Sequence, residues 1–271
     1  MTTVTPLPAL AGHGLGRRTT SYRDSDAILY ALAVGATAGD LDLVYERNLR
    51  VLPTFALTLG LWAVEAAGRL GAYDPLRSLH AAQRLTMRSS LPPEGTVEMA
   101  GRVAAVWDKG KAAMVDIEVG CPQFTAVYSI FLPGCGGWGG ERGPSAAVPE
   151  RAEPDWHTEH STDTDLAALY RLTGDRHPVH IDPETAASYG FDRPILHGLC
   201  TLGIAARAVA GAAGAHPCDL TELRARFAAP VLPGDTIRLS ATAGGPEVPF
   251  TAHVGDTAVL TGGIARFTGG R

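Results

Sequence analysis

The sequence predicts an α+β fold of two fused, similar units, each a long buried helix held in a curled antiparallel sheet. Three observations carry this. The chain resembles itself at an offset of 139–141 residues, each copy holds one apolar stretch rich in small residues, and alternating β-branched segments follow each stretch. The repeat rests on four matches in the same order. Asp26-Ala-Ile-Leu-Tyr30-Ala-Leu32 matches Asp165-Leu-Ala-Ala-Leu-Tyr170-Arg-Leu172, and a glycine follows each, Gly35 and Gly174. Pro53-Thr-Phe-Ala-Leu57 matches Pro194-Ile-Leu-His-Gly198, and Pro93-Glu-Gly-Thr-Val97 matches Pro233-Gly-Asp-Thr-Ile237.

Each copy therefore reads as a short helix, a loop, a long apolar helix and then three or more strands. Long helices are expected over 54–70 and 198–213. Neither has a wide polar face, so each must be buried on most sides. Small residues such as Ala56, Gly60, Ala63 and Ala67 let a sheet wrap closely around the first. Strands are expected over 96–107, 112–119, 124–132, 236–243 and 258–267, where apolar and polar residues alternate. Between the copies, Pro133-Gly-Cys-Gly-Gly-Trp-Gly-Gly and the Pro/Gly-rich residues after it are too poor in structure formers for a helix or strand. The expected organisation is a first unit over 1–132, a linker over 133–150 and a second unit over 151–271. The linker glycines lack the Lys-Ser/Thr and following helix that a phosphate loop needs.

Composition bounds the function. Among 271 residues, 45% are hydrophobic and 19% charged, enough apolar material for a real core. The formal charge of -5 leaves no basic excess for a nucleic-acid coat. Cys121, Cys135, Cys200 and Cys218 form no metal-finger spacing and read as reduced thiols. No signal peptide is visible over 1–16, and the two most apolar runs are broken by Glu65 and Arg207. The expectation is a soluble cytoplasmic protein with no membrane segment and no nucleic-acid partner.

Chemistry is concentrated in the second copy. Asp175, His177 and His180 fall within six residues of one another in Gly174-Asp-Arg-His-Pro-Val-His-Ile-Asp-Pro183, whereas the matching place in the first copy reads Gly35-Ala-Thr-Ala-Gly39. A polar group needed only for folding would tend to occur in both halves. As an acid/base pair, Asp175 would orient His180 or share a bound water with it. As turn formers, Asp175 and Asp182 would only cap the backbone around the prolines. Asp-x-His-x-x-His also offers three metal ligands, on a loop with no fixed ligand face. The second piece is Arg193-Pro-Ile-Leu-His-Gly198, at the entrance to the apolar helix. A helix N-terminus carries unpaired N–H groups, and Gly198 would let a ligand carbonyl come close. In the first copy Leu57 stands there instead. His197 reads as a helix-entry or core-edge residue.

These segments resemble a known family. Tyr170 to Pro183 and Gly190-Phe-Asp-Arg-Pro-Ile-Leu-His-Gly-Leu-Cys-Thr201 are similar to the motif region of the (R)-specific enoyl-CoA hydratases of the hydratase 2 type, within the MaoC-like dehydratases. Asp26–Gly35, Asp40–Glu46, Leu52–Phe55, His80-Ala-Ala-Gln83, Asp108-Lys-Gly110 and Gly134–Gly140 resemble the N-terminal half of the two-repeat members. The resemblance implies a double hotdog fold, with one half catalytic and the other widening an acyl tunnel. It implies reversible hydration of a trans-2-enoyl-CoA to the (3R)-hydroxyacyl-CoA. Asp175 and His180 would be catalytic, the Gly198 N–H would hold the thioester oxygen, and coenzyme A would enter only as part of the substrate, with no cofactor or metal. His177, His197, Arg193 and Arg226 would bind substrate. His177 stands where the family usually has Asn, and Ala229 where relatives often have a basic residue. Other readings are dehydration of a 3-hydroxyacyl group on an acyl carrier protein, a thioesterase on the same scaffold, and a non-catalytic partner of another hotdog subunit. The chain is expected to be a monomer or a homodimer of double-hotdog chains.

Overall fold

The computed structural model describes residues 6–144, 153–244 and 246–269. The first five residues of the N-terminal stretch and residues 145–152, across the expected unit boundary, lie outside the described residues. In chain order the elements are β1 (Gly14–Tyr22), α1 (Asp24–Ala33), α2 (Leu41–Val44), α3 (Phe55–Gly60), α4 (Trp62–Gly68), β2 (Leu79–Met87), β3 (Gly95–Asp108), β4 (Ala112–Gly120) and β5 (Phe124–Pro133). The second set is β6 (Trp156–Ser161), α5 (Leu166–Tyr170), α6 (Pro183–Ser188), α7 (Gly198–Ala213), β7 (Leu220–Phe227), β8 (Thr236–Ala241), β9 (Val248–Val254) and β10 (Thr257–Phe267).

All ten strands form one antiparallel sheet in the order β1-β3-β4-β5-β2-β7-β10-β9-β8-β6. The order is a palindrome in the two copies: β1 to β5 take the same places in one half as β6 to β10 in the other. The halves join where β2 pairs with β7, with Arg84 directly opposite Arg224 and Leu85 opposite Leu223. Arg84 and Arg224 are themselves 140 residues apart, the repeat offset, so the pseudo-twofold axis passes through this pair. Two arginines face to face repel; both are exposed, and Arg84 leans to within 4.0 Å of Asp116.

The expected element order needs one correction: each copy begins with a strand before its short helix, while the four strands that follow each apolar helix agree with the three or more expected. The helix expected over 54–70 is also broken at Leu61 into α3 and α4. The cause is Tyr128 on β5, whose hydroxyl donates to Leu57 O at 2.6 Å. An unbroken helix would give that carbonyl to the Leu61 N–H. Leu61 turns instead to Thr58 O at 3.4 Å. No such intruder reaches α7, which runs unbroken and is buried on every face from Leu199 to Ala206.

Small residues on α7 receive the other half. A Cβ added at Gly203 would lie 2.6 Å from Val34 Cγ1 and 2.8 Å from the Tyr30 hydroxyl. Arg207 reaches across as well and donates from Nε to Val34 O at 3.0 Å, at the C-terminus of α1. The two units thus share one core, and no helix among the described residues is long and apolar enough to cross a membrane. The four cysteines are unpaired.

The Gly-rich segment after β5 has no helix or strand over its described part, residues 134–144, yet it is tied down. The buried Asp108 carboxylate, at the end of β3, accepts N–H bonds from Gly110, Gly137, Gly139 and Gly140 at 2.8–3.3 Å. These bonds, Gly137's foremost, hold its pKa down at about 2. The segment is therefore fastened to the β3–β4 hairpin of the first unit. Asp108→Asn replaces an oxygen acceptor with an amide facing N–H donors. It is expected to lower the thermal midpoint and to speed amide exchange at Gly137, Gly139 and Gly140, measured by hydrogen–deuterium exchange; unchanged exchange there would show that the carboxylate is not what holds the segment.

Candidate active site

The cluster predicted from the second copy is assembled by short local bonds. After α5 the chain makes a tight turn and reaches Gly174 with φ +144°, a backbone angle that side chains rarely tolerate. This turns Asp175 inward. Its Oδ1 accepts from His177 N at 3.1 Å. A helical turn over Pro178–His180 then sets His180, whose Nδ1–H donates to Ile195 O at 2.8 Å. Because Nδ1 carries the proton, Nε2 keeps its lone pair. The segment that receives this bond is itself anchored, since Leu196 N donates to Val231 O at 2.8 Å.

One carboxylate oxygen of Asp175, one ring nitrogen of His180 and one of His197 lie within 4.8 Å of one another. His180 is partly buried, and burial holds its pKa below the usual imidazole value against the pull of the Asp175 carboxylate. His180 is therefore neutral at neutral pH and able to accept a proton. The trio is a poor metal cradle despite its composition. The rings of His180 and His197 are stacked, with centroids 3.7 Å apart and planes inclined by 25°. One nitrogen of each ring is already committed to a main-chain oxygen, Nδ1 of His180 to Ile195 O and Nε2 of His197 to Asp175 O.

The expected binding residues separate into four groups. Gly198 is where it was expected: it is the first residue of α7, directly after His197, and its N–H has no acceptor within the helix. A Cβ there would lie 3.1 Å from two ring atoms of Phe227, so this position admits no side chain without moving Phe227. His177 and His197 do not offer free nitrogens to a ligand. His177 Nδ1 accepts from Val179 N at 3.3 Å, which leaves the proton on Nε2 to be donated to the Tyr189 hydroxyl at 3.2 Å. His197 is fully buried; Nε2–H donates to the main-chain O of Asp175 at 3.1 Å, and Nδ1 is enclosed by protein. Arg226 is turned away: it precedes Phe227 on β7, so the alternation that puts Phe227 against Gly198 puts Arg226 on the exposed outer face. Arg193 is exposed on the loop before α7, in a groove of about 420 Å³ with Gly190, Pro230, Leu232, Val254 and Thr257.

The two aspartates bond their own loops differently. Asp182 is a cap, accepting from Glu184 N at 3.1 Å and from the Thr185 hydroxyl at 2.6 Å. Asp175 also bonds its own loop, but with one oxygen. Residues that the sequence did not single out for chemistry complete the site, and two come from the first unit. Thr58 of α3 lies 3.6 Å from the position of a Cβ on Gly174. The His80 ring on β2 packs between Phe227, at 4.7 Å, and Tyr128, at 5.9 Å. The site is thus built from both units. Burial pushes the pKa of His80 down to about 4 and that of His197 to about 3.

Comparison with known proteins agrees with this architecture. The MaoC like domain matches residues 146–262 and the MFE-2 hydratase 2 N-terminal domain residues 20–126. The chain is 40% identical over 233 residues to 3-hydroxyacyl-thioester dehydratase Y of Mycobacterium tuberculosis, covering 80% of each chain. It is 37% identical over 234 residues to the probable enoyl-CoA hydratase 2 of Dictyostelium discoideum, covering 78% of each. Among solved structures, a MaoC-like dehydratase from Phytophthora capsici superposes with a TM-score of 0.84 at 28% identity, over 96% of this chain and 98% of that one.

The buried histidines tie stability to pH. His80, His180 and His197 are held neutral by burial in the folded protein, but titrate near 6.5 when unfolded. Below pH 6.5 the unfolded chain binds protons that the folded chain refuses, so their contribution is complete above that pH and is lost on acidification towards 4 and 3. Each such group adds a slope of up to about 1.4 kcal/mol per pH unit. Urea unfolding between pH 7.5 and 5 should show stability falling with pH; a flat profile would mean that the three rings are not held neutral.

Proposed function

The chain belongs to the MaoC-like hydratase and dehydratase family, and from that premise we propose that it catalyses the reversible hydration of trans-2-enoyl-CoA to (3R)-hydroxyacyl-CoA. The observation that carries this reading is the meeting of the Asp175 carboxylate with a neutral His180 whose free nitrogen is Nε2, under the ring of His197, the residue that directly precedes Gly198 at the start of α7. Water donates one O–H to His180 Nε2 and the other to Asp175. Its oxygen adds to C3 as the thioester oxygen gains charge, and the Gly198 N–H holds that oxygen at the positive end of the helix. The proton taken from water is returned to C2 by the same pair, so the net change is addition of H and OH across the double bond. Run backwards, the same steps eliminate water.

In this reading no metal or organic cofactor takes part. The Arg193 groove is where the coenzyme A phosphates would rest, and Phe227, Gly198 and His80 line the approach of the thioester. Arg226, on the opposite face of the sheet, has no part in it. Kinship to the mycobacterial 3-hydroxyacyl-thioester dehydratase favours a second reading, in which the same site works in the dehydration direction, with an acyl carrier protein as the carrier. A cytoplasmic setting fits either.

The test is loss of enoyl-thioester absorbance with crotonyl-, octenoyl- and decenoyl-CoA, with chiral analysis of the product. Asp175→Asn and His180→Gln are each expected to cut turnover by about a hundredfold or more. Near-normal rates in folded variants would remove the mechanism. His177→Asn keeps an acceptor for Val179 N and is expected to leave kcat/KM at or above the wild-type level. Complete inactivity of that variant would give the His177–Tyr189 pair an essential role.

A further inference from the structure

We infer that His197 is a positioning residue, which fixes Asp175 and His180 relative to one another without itself touching the substrate. This inference rests on the function proposed above. The pseudo-symmetry of the two units offers a first comparison. In the first unit Tyr30 packs on Phe55, with centroids 5.4 Å apart and rings inclined by 50°. In the second unit Tyr170 packs on His197 at 4.8 Å and 47°. Tyr30 and Tyr170 are 140 residues apart in the chain, but the repeat sets Ala56, not Phe55, opposite His197, so the two rings come from neighbouring positions at the mouths of α3 and α7. A phenyl ring serves against the first tyrosine, so packing on Tyr170 does not by itself call for an imidazole, and the nitrogens of His197 need their own reason.

Those nitrogens are costly to bury. Among the described residues Nδ1 of His197 has no protein hydrogen-bond partner, and a ring kept for packing alone would be better without it. What the ring contributes is the bond from Nε2–H to the Asp175 carbonyl at 3.1 Å, while its face lies flat on His180 at 3.7 Å. One side chain thus holds the main chain of one catalytic residue and the ring of the other. The restraint acts where the loop is freest, next to Gly174 with its φ of +144°. The first unit has no Asp–His pair to align, and there the position matching His197 is Ala56, with no ring and no nitrogen.

Two variants separate alignment from packing. His197→Phe keeps the ring and its stack but loses the bond to Asp175 O. It is expected to melt at or above the wild-type temperature and to show KM within about twofold, while kcat falls about ten- to a hundredfold, the scale of a small misplacement of catalytic groups. His197→Gln returns an N–H of similar reach and is expected to recover a large part of that loss despite lacking the ring. A His197→Phe protein with wild-type kcat would overturn the inference and leave the hydratase reading standing. So would loss of kcat in both variants in proportion to lowered melting temperatures. A wild-type protein inactive on every enoyl-CoA tested would instead overturn the function, and this inference with it.

Discussion

The antiparallel pairing of β2 with β7 is the constraint on which the rest depends. It joins two half-sheets into one and sets the two long helical segments inside a common wall. It also fixes the rotation between the units. Once Arg84 stands opposite Arg224, β2 runs beside β7 in register and His80 comes to rest on Phe227. Phe227 in turn abuts Gly198, the start of α7. The catalytic loop belongs to the second unit, but its surroundings are set by where this seam places the first.

Within that frame, backbone carbonyls decide what the histidines can do. The Ile195 carbonyl takes the proton-bearing side of His180 and so leaves Nε2 as the base. The Asp175 carbonyl does the same for His197. Neither assignment depends on another side chain that could titrate, so both survive over a wide pH range. The cost is desolvation, visible as the lowered pKa values of all three buried rings.

Much of this was legible in the sequence because duplication leaves a comparison inside a single chain. The repeat exposed the two-unit fold, and the contrast between Asp175–His180 and Gly35–Gly39 exposed the site. What stayed hidden depends on contacts across long stretches of chain. The break at Leu61 is caused by a tyrosine 71 residues from the carbonyl it takes. Strand β2 reads Leu-His-Ala-Ala-Gln-Arg-Leu-Thr-Met, too polar and alanine-rich to announce itself, and only the sheet explains it. His80 entered as part of a resemblance and gained a place in the site only through the seam. The direction of Arg226 follows from the same alternation: adjacent residues on a strand face opposite ways, so with Phe227 against Gly198 it takes the outer face. The described part of the Gly-rich segment, residues 134–144, has neither helix nor strand, and its anchor, Asp108, lies on another strand.

The same seam bears on how the chain acquires its structure. Its partners are separated by 140 residues at Arg84 and Arg224, and neither half-sheet has a covered inner edge until they meet. Contacts so distant along the chain make for slow folding, with the edges of β2 and β7 open to wrong neighbours in the interval. Covalent fusion turns that encounter into an intramolecular one, at an effective concentration on the order of millimolar. Two units on separate polypeptides would come apart on dilution, whereas the joining of these two does not depend on protein concentration.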